Sequence, residues 1–120
     1  LGLVCAQLDA QLADRPAPTL GWCYLTDHHA NAAEALLADL RERFPGTAWV
    51  GSVGIGICAS GVEYFDEPGL AVMLAAMPHE QFRVFSGRRP LQGDAGFVPH
   101  TALVHADPST PELSELVGEL

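Results

Sequence analysis

The chain has 120 residues, 48% of them apolar and only 18% charged, so it holds enough apolar surface for one compact core and is not a disordered polypeptide. Fifteen carboxylates face six arginines and no lysine, for a net charge of −9. With Arg88-Arg89 as the one adjacent basic pair, the balance argues against nucleic acid and against an anionic membrane surface as partners.

The longest continuous apolar run, Leu70 to Met77, is far short of the ~20 residues a membrane-spanning helix needs. With no leader pattern in view, a cytoplasmic location is expected. Cys5, Cys23 and Cys58 are odd in number, widely spaced and set among apolar neighbours. Buried free thiols are expected rather than a disulfide framework. The chain starts at Leu1 with its apolar pattern already running, and its last helix lacks a terminator. Residues 1–120 are therefore expected to be one domain cut at one or both ends.

Val4, Leu8 and Leu12 recur at helical spacing and describe a short helix that stops before Pro16. Thr19 to Leu25 is aromatic and apolar and predicts a buried strand, followed by a loop at Thr26-Asp27-His28-His29. Asn31 with Glu34 supplies an N-cap and its capping-box partner. Leu36, Leu37, Leu40 and Phe44 then form the buried face of a helix that Pro45-Gly46 ends. Thr47 to Val53 is again strand-like, so residues 19–53 predict a strand, helix, strand unit with parallel strands and a right-handed crossover.

Glycines at 51, 54, 56 and 61 follow, which predict strand with bends and a close approach of backbone to something. Leu70 to Met77 predicts a central strand covered on both faces, with Phe82 to Phe85 as its hairpin partner. Residues 86–96 predict an exposed loop, and Thr101 to Ala106 a last strand. Pro108 and Pro111, with Ser109 or Thr110 as cap, open a terminal helix whose face carries Leu113, Leu116, Val117 and Leu120. The expected architecture is a single α/β domain with a mixed β-sheet of about five or six strands flanked by two or three helices.

Four sets of residues carry candidate chemistry. Gly54, Gly56 and Ala59 fit the loose G-x-G-x-x-A form of the dinucleotide fingerprint, but that motif must open a helix, and Ser60-Gly61-Val62 leans towards strand. Asp27, His28 and His29 with His100, His105 and Asp107 supply metal-ligand types, yet without H-x-x-x-H or C-x-x-C spacing. Solvated histidines at strand ends are the favoured reading, and no metal or cofactor is expected. Cys58, with His28 or His100 as base, would make a cysteine hydrolase. A small packed cysteine between Ile57 and Ala59 is the favoured alternative. Glu63 and Asp66 bracket Tyr64 and Phe65, a carboxylate and aromatic combination suited to an ammonium group. An exposed acidic turn fits it equally well.

The stretch WVGSVGIGICASGVEYFDEPGLAVMLAAMP, followed by ALVHADPSTPEL, resembles the N-terminal region of FIST domains. WCYLTDHH, leading into AAEALLADLRERFPG, agrees with the same family. The resemblance implies a bacterial sensory, signal-transduction domain that binds small ligands such as amino acids and is followed by a C-terminal companion domain. The family's V-G-C-S-x-A-G-E strand is replaced here by Val50-Gly51-Ser52-Val53-Gly54, with the acidic residue displaced to Glu63. The glycine bend Gly51 to Gly61 is carried over as a pocket wall. The expected ligand-binding set is Gly51, Ser52, Gly54, Gly56, Cys58, Gly61, Glu63 and Tyr64.

Three readings remain. The first is a non-enzymatic ligand sensor, favoured because no catalytic spacing is present. The second is a hydrolase built on Cys58. The third is a scaffold whose uncovered apolar faces bind a partner.

Overall fold

The computed structural model describes residues 1–91 and 96–118, except the side chain of Leu116. The expected positions of Leu116 and Leu120 on the last helix, and residues 92–95 of the expected loop, lie outside this description.

Helix α1 (Gly2–Leu12) leads to strand β1 (Leu20–Thr26), a 3₁₀ segment (Asp27–Ala32), α2 (Ala33–Arg43) and β2 (Ala48–Gly54). Next come β3 (Gly56–Ala59), β4 (Val62–Phe65), β5 (Leu70–Ala75) and a 3₁₀ turn (His79–Gln81). Helix α3 (Leu113–Gly118) closes the described chain. The result is one α/β domain whose five described strands divide into a mixed three-stranded sheet, in the order β2-β1-β5, and the hairpin β3-β4.

The expected strand, helix, strand unit is present, with β1 and β2 parallel from Leu20↔Ala48 to Thr26↔Gly54. Strand β5 runs antiparallel to β1, from Leu20↔Ala75 to Leu25↔Leu70. Side-chain alternation along these ladders gives the sheet two unlike faces. Cys23, Trp49, Val72 and Leu74 point to one side, where they pack on the cluster of Leu8, Leu40 and Phe44 from the helices. Trp49 lies tilted against Phe44, ring centres 6.3 Å apart, and occupies the space a Cβ on Gly21 would need. Arg43 on α2 pairs with Asp9 on α1, tying the two helices together. The other side carries Trp22, Tyr24, Ala71 and Met73, the last 57% exposed.

Several local expectations give way to tertiary structure. The loop after β1 is the 3₁₀ segment, and α2 starts one residue after Asn31 would have placed it, with Ala32 as N-cap and no side-chain cap bond. Strand β5 lies at the edge of its sheet rather than the centre. Residues 82–85 and 101–106 have no ladder partner among the described residues. Arg83 instead places its guanidinium over the Phe97 ring at 4.6 Å, and His105 turns to Tyr24. Before α3, Asp107 accepts hydrogen bonds from the Ser109 hydroxyl at 2.6 Å and amide at 2.8 Å. The local turn is thus built on Asp107.

Candidate functional site

The glycine-rich stretch folds as the hairpin. Ser60 (φ 52°) and Gly61 (φ 80°) both have positive φ, as a two-residue type I′ connection requires. Gly54, Gly56 and Ala59 therefore open no helix, which removes the geometric basis of the dinucleotide reading. Ile57 and Tyr64 face each other across the hairpin and close onto Gly69, where an added Cβ would come within 2.9 Å of Tyr64. This contact fixes the hairpin against the start of β5, beside the carboxyl end of β1, where ligands gather in open α/β sheets.

Between the hairpin, α1 and β5 lies an open groove of about 930 Å³. Cys58, Ser60 and Tyr64 line one end, with Tyr24 of β1 nearby, and Gln7 and Gln11 reach it from α1. Polar and apolar surface share the wall in about equal parts, so it suits a ligand that has both an apolar body and polar groups.

Of the expected binding residues, the structure brings Cys58 and Tyr64 together in this groove. Gly51 does different work, since a Cβ there would lie 1.8 Å from the Cys23 carbonyl oxygen. It lets β2 approach β1. Gly56 makes room for the Phe65 ring, and Gly61 serves the turn. Ser52 is exposed on β2, and Gly54 ends that strand. Glu63 is paired with Cys58 in the hairpin ladder and exposed, and it is not among the groove-lining residues.

The thiols differ from the sequence expectation. Cys58 is exposed, while Cys5 and Cys23 are half-buried, and all three are free. Burial pushes the Cys23 thiol pKa up, because the charged form is desolvated. His28 Nδ1 lies 3.2 Å from Asp27, and His105 Nε2 lies 3.0 Å from the Tyr24 hydroxyl. His105 and Asp107, both candidate ligands by residue type, turn to different partners. Among the described residues no three His, Cys, Asp or Glu side chains gather as a metal site would require. No described helix is long and apolar enough to cross a membrane.

A family model of the FIST N domain matches residues 19–120. The chain belongs to the FIST family. The matched region starts just before β1, so α1, which walls one side of the groove, precedes it. FIST domains act in sensing and signal transduction. No curated protein and no solved structure matches the chain. The groove residues that sequence patterns missed, Tyr24, Gln7 and Gln11, sit on a strand end and on a helix whose buried stripe alone had been legible. The position of Tyr24 near the carboxyl end of a parallel strand was the signal available.

Proposed function

We propose that this FIST domain is a non-enzymatic sensor that binds a small ligand, with an amino acid or related amine as the favoured class, at the hairpin end of the groove. The observation that carries this reading is the convergence of Cys58, Ser60 and Tyr64 with Tyr24, Gln7 and Gln11 around one open cavity. Tyrosine faces suit an apolar body or an ammonium group, while the carboxamides and hydroxyls can hold a polar head. In this reading the domain works in the bacterial cytoplasm and passes its signal to a companion domain.

A hydrolase built on Cys58 is the weaker reading. Of the two candidate bases, His28 turns to Asp27, and among the described residues no hydrogen bond joins His28 or His100 to Cys58.

A thermal-shift screen with amino acids, polyamines, nucleotides and divalent metals tests the proposal. A ligand at 100 times its Kd adds about 2.7 kcal/mol of stability if it binds only the native state. The shift is expected with an amino acid or amine and is expected to vanish in Tyr64→Ala. Stabilisation by metals alone, or turnover of a thioester or ester substrate that Cys58→Ala abolishes, would overturn it.

A further inference from the structure

The edge of β5 has a use that ligand sensing does not require. Groove-lining residues run without a gap along this strand, from Leu70 to Leu74 beside α1 and the hairpin and on to Ala76 in a smaller adjoining cavity. Consecutive residues point to opposite faces of a sheet, so a continuous run of them can border a cavity only along the strand's edge. That run amounts to about 20 Å of strand.

The edge has unused hydrogen-bonding capacity. The Thr26 amide donates to the Gly69 carbonyl, which sets the antiparallel alternation between β1 and β5. Main-chain groups of residues 69, 71, 73 and 75 therefore turn towards β1, and those of Leu70, Val72 and Leu74 turn outward. Among the described residues no strand pairs with them. The sequence LAVMLA carries none of the charges or prolines that usually blunt an edge.

The groove also states what the occupant should carry. Among the described residues Arg15 is the one charged side chain lining either cavity, and it borders both. Its guanidinium makes no described ion pair, and Leu74 to Ala76 lie beside it. An incoming strand is thus offered the aliphatic side chains of β5, a row of main-chain partners and a cation at one end.

We propose that the β5 edge is a docking site for an extended, apolar segment of a partner protein that adds as a strand and places a carboxylate near Arg15. This is peptide recognition by strand addition, in which main-chain bonds give affinity and side-chain subsites give selectivity. It does not depend on the small-ligand reading, which concerns the hairpin end of the groove.

The test uses a fluorescein-labelled peptide amide of sequence Glu-Val-Thr-Val-Thr-Val-Glu, read by fluorescence anisotropy against the native chain and against Arg15→Gln. The two terminal glutamates allow either strand direction to reach Arg15. N-methylation of one alternating set of residues should weaken binding at least about tenfold and methylation of the other set should not, because only one set faces β5. Replacing both glutamates by glutamine should weaken binding to the native chain but not to Arg15→Gln. Absence of binding, equal loss from the two methylated sets, or a glutamate preference unchanged in Arg15→Gln would each overturn the proposal. So would assembly of the chain into dimers through β5 that exclude the probe.

Discussion

Thr26 and Gly69 are joined by two hydrogen bonds: the Thr26 amide donates to the Gly69 carbonyl at 3.0 Å, and the Gly69 amide donates to the Thr26 hydroxyl at 2.8 Å. Thr26 is fully buried, with no exposed surface. Through this pair the end of β1 holds the segment that joins the hairpin to β5. Thr26→Val keeps the shape but strands the Gly69 amide, and should cost about 1–3 kcal/mol in urea unfolding. Thr26→Ser should retain the bond and much of the stability.

Two glycines with positive φ should respond differently to alanine. Gly46 (φ 85°) has open space where its Cβ would go, so Gly46→Ala adds only backbone strain, about 1 kcal/mol. Gly51 (φ 153°) would drive a Cβ into the Cys23 carbonyl. Gly51→Ala should cost about 3 kcal/mol or more, as strain and overpacking combine. Thermal unfolding of the two variants side by side checks the contrast.

The three thiols should separate on alkylation by iodoacetamide followed by peptide mapping. Cys58 is exposed and should react first. Cys23 is half-buried with its pKa raised by desolvation, so it stays a neutral thiol at pH values where a free cysteine, near about 8.5, is already ionising. The stability linked to that neutral form is complete below the free-thiol value and is lost as pH rises through the folded value. Labelling of Cys23 should therefore lag at pH 8 and accelerate in more alkaline solution.

Asp107 should titrate below an ordinary aspartate, because the Ser109 hydroxyl and then its amide donate to the carboxylate. Its contribution to the turn is present above the unfolded value of about 3.9 and is lost as pH falls through the lower folded value. NMR titration of the side-chain carboxyl should show the depression, and Ser109→Ala should reduce it. The carboxyl is fully exposed, so the effect stays with the turn before α3.

What the sequence disclosed, and what it withheld, follows from range. Helix α1, the β1-α2-β2 unit and the stop at Gly46 rest on local periodicity and turn residues, and each is found where these patterns placed it. Phe82 to Phe85 and Thr101 to Ala106 have equally strand-like composition, but a strand exists only with a partner, and Arg83 and His105 are engaged by Phe97 and Tyr24 instead. Asn31 offered a good cap, yet the 3₁₀ segment carried the helix start past it. In the groove, Cys58 and Tyr64 were legible from their setting among glycines, whereas Gly51 proved to serve strand packing. Tyr24, Gln7 and Arg15 were not legible, because their proximity comes from the docking of α1 and the hairpin around β5.

The two unlike faces of the sheet also give the molecule a built-in pair of optical reporters. Trp22 and Trp49 are its only tryptophans, and they stand on opposite sides of the β1-β2 ladder. Emission from Trp49 follows the helix-covered interior beside Phe44, while emission from Trp22 follows the side that Tyr24 and Met73 share. With Trp22→Phe and Trp49→Phe in hand, loosening of the interior and events on the opposite surface become two separately recorded signals from one small chain.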